Sequence, residues 1–119
     1  MDQLYREYIG AGALRDPEGL AGALGAPFST WEGQELYPLM VEKAARLVIH
    51  IQARQAFSDG NKRIAWLTMI VFIGLHGLYL ADTTEEEAAD FVLDIAEKRI
   101  DARTAASWIS MRLTEIEPA

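Results

Sequence analysis

The segment RQAFSDGNKRIAW, residues 54–66, joins two long helical patterns and contains the side chains best suited to hold a ligand. A helix that begins just after a glycine leaves backbone N–H groups unpaired at the positive end of its dipole, and such groups stabilise an anion. Lys62 and Arg63 add two positive charges there, and Asp59 supplies a hard oxygen of the kind that holds Mg²⁺ together with substrate phosphates. The spacing is therefore consistent with a phosphate-plus-magnesium site.

A simpler interpretation fits the same residues. Asp59 and Asn61 can serve as helix caps and Gly60 as a turn residue, with Lys62 and Arg63 solvated in the first helical turn. Cations in a first turn interact slightly unfavourably with the helix dipole, which favours a bound anion. Spacing alone leaves both interpretations open.

The helical pattern before this segment begins near Pro38 and ends near residues 53–55. Its apolar residues recur at the spacing of one helical face: Met40, Ala44, Leu47, Val48 and Ile51. The opposite face carries charge: Glu42, Lys43 and Arg46. After the segment, residues 61–76 are apolar on nearly all sides, which predicts a central buried helix that ends at Gly77. Residues 78–82, LYLAD, are expected to form an extended connection.

Further elements are predicted before and after these two helical patterns. Asp16 and Pro17 form a helix-start signal, so a short helix is expected over residues 17–24, and residues 27–37 are expected to form a loop or small hairpin. Thr83 and Glu86 predict a capping box that opens a helix running to about Arg99. The inner face of that helix is expected to carry Ala88, Phe91, Val92 and Ile95.

A last helix is expected after a cap at Asp101. Its inward-facing residues are predicted to be Ala105, Trp108, Ile109 and Leu113. Trp66 and Trp108 lie on apolar helical faces and are expected in the core, whereas Trp31 is a candidate for a partner surface. The predicted fold is a mainly all-α bundle of five or six helices with a possible short β-hairpin.

Composition narrows the class of protein. The chain of 119 residues fits a single domain, residues 1–119. A net charge of -7 and a pI near 4.7 argue against a nucleic-acid binder that neutralises phosphates. The absence of cysteine excludes thiolate metal sites and cysteine nucleophiles and fits a cytoplasmic protein. The longest apolar run is too short to cross a bilayer, so no membrane partner is expected.

The stretch AFSDGNKRIA resembles the signature of the Fic/Doc (Fido) superfamily, in which a His-x-Phe-x-Asp/Glu-Gly/Ala-Asn-Gly/Lys-Arg loop joins two helices. The lysine at position 62 resembles the Doc, or death-on-curing, branch of toxin–antitoxin modules. The resemblance covers about residues 13–113, with an N-terminus shorter than is usual in the family.

The resemblance implies a mainly helical Fido fold and transfer of a phosphoryl or nucleotidyl group from a magnesium nucleotide, ATP or another triphosphate, to a protein hydroxyl. By matching positions, Phe57 anchors the loop, Asp59 holds Mg²⁺, and Gly60 and Asn61 cradle the anion. The resemblance further implies that Lys62 and Arg63 contact phosphates and that residues 28–37 form a flap that aligns the target chain by strand addition.

Partners are implied by the same resemblance. In Doc toxins the γ-phosphoryl group goes to a threonine of elongation factor Tu, which is therefore the expected substrate. The second expected partner is a Phd-like antitoxin whose tail folds as a helix into a groove of the toxin.

The motif histidine of the family, which takes the proton from the attacking hydroxyl, matches Gln55 in this chain. A neutral amide cannot act as a general base near pH 7, so catalysis is expected to be impaired. His50 and His76 lie on other faces or too far along their helices to replace it. Gln55 is open to three interpretations: a natural loss that leaves a binding protein, a glutamine that orients a nucleophile, or an engineered inactivation.

Overall fold

The computed structural model describes residues 13–117. In order along the chain, the elements are α1 (Pro17–Gly25), a 3₁₀ helix (Ala26–Phe28), β1 (Thr30–Trp31), β2 (Gln34–Glu35), α2 (Met40–Arg54), α3 (Asn61–Leu75), β3 (Leu78–Leu80), α4 (Glu85–Ala96), α5 (Ala102–Ser110) and β4 (Leu113–Glu115). The described part of the chain therefore has five α-helices and two small two-stranded sheets, which confirms the mainly helical fold. Residues 1–12, where the shortened N-terminus was expected, lie outside the described residues.

Helix α2 is the centre of the molecule, and it packs against α1, α3, α4 and α5. Its apolar face is buried as predicted, and it contributes five of the core residues. The buried apolar core consists of Leu20, Ala23, Ala44, Ala45, Leu47, Val48, Ile51, Ala56, Phe57, Ile64, Ala65, Met69, Ile73, Phe91, Val92, Ile95, Ala105 and Ile109. Lys43 was predicted on the exposed face, and this was wrong: the residue is 8% exposed because its ammonium group is bound by the segment that precedes α2.

Helix α3 is less buried than its composition predicted. One face packs on α2, but Leu67, Val71 and Leu75 form an exposed stripe on another face, with Leu75 81% exposed. A helix that is apolar all round is expected to be buried on all sides, and the described residues do not cover this stripe. The prediction that residues 61–76 form the central buried helix was therefore wrong. The central helix is α2, and α3 packs beside it.

The predicted hairpin is present as the antiparallel pair β1 and β2, with Trp31 opposite Gln34. The two residues between the strands, Glu32 and Gly33, both have positive φ, 51° and 80°. This is the backbone conformation of the tight turn that matches strand twist, and it explains the glycine at position 33. We keep the name flap for residues 28–37.

A second two-stranded sheet was not predicted. Leu78–Leu80 pairs antiparallel with Leu113–Glu115, so that Leu80 lies opposite Leu113. Leu113 was expected on the inner face of the last helix, and this was wrong because α5 ends at Ser110. The pairing continues on both sides, where Ala81 donates to Arg112 O and Ile116 donates to Gly77 O.

The caps predicted at Asp16 and Asp101 are present, whereas neither Asp59 nor Asn61 caps α3 and the capping box of α4 is displaced. Asp16 caps α1 by accepting from Gly19 N at 2.9 Å, and Asp101 caps α5 by accepting from Thr104 N at 2.8 Å. The capping box of α4 was predicted one residue too early: it is formed by Thr84 and Glu87, and the helix ends at Ala96. Thr83 instead donates to Ala81 O, which holds it in the preceding turn.

Aromatic side chains close one side of the core. Phe91 stacks on Trp108 with ring centroids 4.0 Å apart, and Trp66 meets both rings edge-on at 6.1 and 6.2 Å. Trp66 and Trp108 therefore pack against the core, as predicted, whereas Trp31 is 70% exposed. Among residues 13–117, no helix has the length and apolar character needed to cross a membrane.

Candidate functional site

The motif loop, residues 55–63, contains two residues with left-handed backbone conformation. Gln55 ends α2 with φ 51°, and Gly60 precedes α3 with φ 77°. Glycine adopts this conformation readily, whereas a residue with a side chain adopts it at a cost. The chain therefore turns sharply at both residues, and Gly60 allows α3 to begin at Asn61, two residues after Asp59.

The centre of the loop is fixed to the core and to the segment before α1. Phe57 is fully buried, in agreement with its expected role as an anchor. Its backbone forms a bridge with Leu14, and Ala56 O accepts from both Arg15 N, at 2.7 Å, and Asp16 N, at 3.0 Å. These contacts were missed by the sequence analysis, because an isolated bridge of one residue has no periodic pattern.

Asn61 holds the loop together from inside. Its amide oxygen accepts from Phe57 N at 3.0 Å, and its amide nitrogen donates to Phe57 O at 2.9 Å and to Gln55 Oε1 at 3.2 Å. The residue is 7% exposed. Because both polar atoms of the side chain are occupied inside the protein, only the backbone N–H of Asn61 remains suitable for the anion cradle.

Gln55 lies at the entrance of the loop with its side chain exposed. Its amide nitrogen donates to Gln52 O, and its amide oxygen accepts from Asn61. The side chain thus links the last turn of α2 to the first residue of α3. In this arrangement the Gln55 side chain stabilises the conformation of the loop.

The beginning of α3 carries the predicted cations on its surface. Its first residue follows Gly60, and no side chain caps the helix by a hydrogen bond. Lys62 and Arg63 are both exposed in the first turn. The positive end of the helix dipole therefore coincides with two full positive charges, which suits an anion.

One amide at this end is already engaged. Asp59 Oδ1 accepts from Gly60 N at 2.8 Å, and this bond is exposed to solvent. An anion bound by Gly60 would have to replace the Asp59 carboxylate there.

Asp59 is the single carboxylate within the sequence of the motif loop. Among residues 13–117, no group of three or more histidine, aspartate or glutamate side chains could hold a metal ion. Magnesium commonly binds through one or two carboxylates together with substrate phosphates and water. Asp59 therefore fits a magnesium ion that arrives with a nucleotide, and does not fit a metal bound by the protein alone.

Helix geometry places both histidines away from the position of Gln55. His50 lies five residues before Gln55 on α2, about 140° around the helix and roughly 7–8 Å along it. His50 is half-buried on α2, where burial and then the charges of Arg46 and Arg54 lower its pKa. His76 lies at the opposite end of α3 from Asn61, and its Nδ1 bonds to Phe72 O at 2.9 Å. The distance along α3 is about 22 Å at the usual helical rise.

The flap is tied to α2 by charged residues. Lys43 Nζ forms an ion pair with Glu35 Oε1 at 2.9 Å and donates to the Tyr37 carbonyl oxygen. Arg46, less than one turn later, places its guanidinium over the Tyr37 ring at 4.5 Å from the centroid. The exposed Trp31 is carried on the first strand of the flap.

Two surface depressions lie away from the motif loop. One, of about 310 Å³, lies between α3 and the sheet of β3 and β4. The other, of about 600 Å³, lies between the end of the flap, the start of α2 and α5. Neither is lined by a residue of the motif loop, so the candidate site consists of the loop itself.

The fold is a helical bundle in which a loop joins α2 and α3 and a flap is attached to α2. This is the arrangement expected of the Fido class. A family model described as the Fic/DOC family matches residues 1–73, more than half of the chain. The chain belongs to the Fic/DOC family. It is also similar to a protein named Toxin Doc from Mycolicibacterium smegmatis, with 33% identity over 98 residues that cover 82% of this chain and 75% of that protein. The resemblance to the Doc branch is therefore confirmed.

Proposed function

We propose that this protein is a Doc-like toxin of a toxin–antitoxin module that binds a magnesium nucleotide at the motif loop. Its inherited reaction is transfer of a phosphoryl or nucleotidyl group to a protein hydroxyl, with elongation factor Tu as the expected substrate. The observation that carries this proposal is the uncapped start of α3, where Lys62 and Arg63 are exposed beside Gly60 in the motif that the family resemblance supplies.

Each residue of the loop has a distinct part in this proposal. The backbone N–H groups of Gly60 and Asn61, with Lys62 and Arg63, would hold phosphate oxygens. Asp59 would hold magnesium, which supplies charge neutralisation on the phosphates. Asn61 would keep the loop in shape through its bonds to Phe57, so that the phosphate contacts are fixed before binding.

Proton removal from the substrate hydroxyl is the step that this chain is expected to catalyse poorly. Transfer forms a bond from the substrate hydroxyl oxygen to phosphorus, breaks the bond to the leaving group and requires loss of the hydroxyl proton. Gln55 matches the family histidine in this proposal, and its amide cannot take that proton. Loss of a general base typically lowers the rate by about 10²–10⁴-fold. Slow transfer remains compatible with such a loss, because phosphoryl transfer depends strongly on positioning and charge stabilisation.

A second candidate function is a non-catalytic Fido module that binds a nucleotide or a protein partner. The observation in its favour is the hydrogen bonding of the Gln55 side chain, whose amide nitrogen donates to Gln52 O and whose amide oxygen accepts from Asn61. These two bonds hold the side chain between α2 and α3, which favours a structural role for Gln55 over the orientation of a nucleophile. Either candidate is compatible with a Phd-like antitoxin as the regulatory partner.

Two experiments separate these candidates. Calorimetric titration with Mg-ATP should show binding by the wild type, and Asp59→Ala and Arg63→Ala should weaken it about tenfold or more. Incubation with labelled ATP and elongation factor Tu should label the factor weakly with the wild type and strongly with Gln55→His. Binding without labelling by Gln55→His would favour the non-catalytic module. Absence of Mg-ATP binding would refute the toxin proposal and the nucleotide-binding form of the second candidate.

A further inference from the structure

The flap has few contacts of its own to hold it in place. Its strands have two residues each, and the strands and the turn between them are exposed. An isolated two-stranded hairpin is at best marginally stable in water. Any fixed orientation of the flap must therefore come from the residues at its two ends.

At its beginning, the flap is held by apolar contacts. Pro27 is fully buried, and Phe28 meets Phe72 of α3 edge-on with ring centroids 6.1 Å apart. These contacts fix where the flap leaves the core. They do not fix the direction of the second strand, which lies six residues further along the chain.

At its end, the flap is held by Lys43. The ammonium group binds the Glu35 carboxylate at 2.9 Å and the Tyr37 carbonyl oxygen, so it contacts the flap on both sides of Leu36. Lys43 is 8% exposed, and a charged group at that depth requires partners. The need of the ammonium for those two acceptors therefore defines where Glu35 and Tyr37 can lie.

Helix α2 connects this contact to the motif loop. Lys43 lies in the first turn of α2, and the helix continues without interruption to Gln55, where the loop begins. The flap and the motif loop are thus attached to the same central helix. A displacement of the flap at Lys43 would change where a chain bound to the flap lies relative to the loop.

We propose that Lys43 is a positioning residue that fixes the flap in the orientation in which it receives a protein substrate. This inference rests on the proposed function, in which the flap aligns the target chain by strand addition. Lys43 makes no contact with nucleotide in this role. Its effect on transfer is exerted through the position of Gln34 and Glu35.

Hydrogen exchange tests whether Lys43 fixes the flap. The Leu36 amide, which bonds to Ser29 O at 3.0 Å, reports on the flap, and the Ala81 amide, which bonds to Arg112 O at 2.8 Å, reports on the distant sheet. In Lys43→Met, exchange at Leu36 should become about tenfold faster, as expected for loss of a hydrogen bond to a charged group. Exchange at Ala81 should stay unchanged.

Matched variants separate this effect from a general loss of folding. Glu35→Gln removes the ion pair but keeps the bond from Lys43 to Tyr37, so it should give a smaller acceleration at Leu36. Glu32→Gln removes an exposed carboxylate of the same hairpin that forms no ion pair within residues 13–117, and it should change nothing. Equal protection of Leu36 in the wild type and in Lys43→Met would overturn the proposal.

Kinetics tests the effect on the substrate. In the Gln55→His background, Lys43→Met should raise KM for elongation factor Tu about tenfold and leave kcat and the affinity for Mg-ATP unchanged. An unchanged KM, or a fall in kcat alone, would contradict a positioning role. If the Gln55→His protein binds no Mg-ATP and labels nothing, the proposed function fails, and the exchange data alone decide whether Lys43 fixes the flap.

Discussion

The amide nitrogen of Asn61 donates to Gln55 Oε1 at 3.2 Å, so the residue that ends α2 is bonded to the first residue of α3. The same Asn61 amide bonds to both backbone polar groups of Phe57. Gln55, Phe57 and Asn61 thus form one network inside the motif loop. This network explains how the loop keeps its shape with a glutamine at position 55.

Replacement of Gln55 should reveal both its hydrogen bonds and its backbone strain. Gln55→Ala and Gln55→Gly each remove the bonds to Gln52 and Asn61, which should cost about 1 kcal/mol of stability in either variant. Glycine accepts the φ of 51° more readily than alanine, so Gln55→Gly should be more stable than Gln55→Ala by about 1 kcal/mol. Urea unfolding measures both differences, and equal stability of the two variants would contradict the left-handed backbone at Gln55.

Asn61 should be more important for stability than any other polar residue of the loop. Asn61→Ala leaves both backbone groups of the buried Phe57 without their partners, which should cost about 3 kcal/mol in urea unfolding. Lys62→Ala, one residue later and exposed, is the matched control and should change stability by less than about 0.5 kcal/mol. A cost for Asn61→Ala as small as that of the control would show that Phe57 does not depend on it.

Asn61→Asp should show which atom of the side chain matters most. A carboxylate still accepts from Phe57 N, but at neutral pH it cannot donate to Phe57 O. Protonation at low pH restores one donor, so the difference in stability between Asn61→Asp and the wild type should decrease as the pH falls towards 4. Paired urea unfolding at pH 7 and pH 4 measures this difference, and a difference that grows at low pH would contradict the donor role.

The helices and the motif loop were accessible from the sequence because their signals are local. Asp16 before Pro17 and Asp101 before α5 are caps that act within three residues, and the apolar face of α2 follows helical periodicity. The family signature lies in one continuous stretch. None of these signals depends on contacts with residues that are distant in the sequence.

Three features that the sequence did not reveal depend on distant partners. Leu113 lies in β4 because Leu80 is opposite it, and no local signal distinguishes that strand from one more helical turn. Lys43 is spaced as a surface residue of α2, and only the position of Glu35 and Tyr37 explains its burial. The bridge between Leu14 and Phe57 is missed for the same reason.

Asp101 should contribute to acid sensitivity through its cap. Its pKa is lowered, first by the hydrogen bond from the Thr104 backbone, so the stabilisation is present above the unfolded value of about 3.8 and is lost as the pH falls through the lower folded value. Asp101→Asn keeps a capping oxygen but does not titrate, and it should reduce the loss of stability between pH 5 and pH 3. Asp90→Asn is an exposed control on α4. Parallel pH profiles for the wild type and Asp101→Asn would contradict the assignment.

His50 should lower the free energy of unfolding in mild acid. Burial, followed by the charges of Arg46 and Arg54, lowers its pKa below the usual value of about 6.5. The unfolded chain therefore binds a proton at His50 at a higher pH than the folded chain does, so stability falls as the pH drops below about 6.5 and levels off below the folded pKa. His50→Gln should remove this component between pH 6.5 and pH 5 in urea unfolding. Arg54→Gln should shift the His50 pKa upward in an NMR titration, and a folded pKa at or above 6.5 in the wild type would contradict the burial of this imidazole.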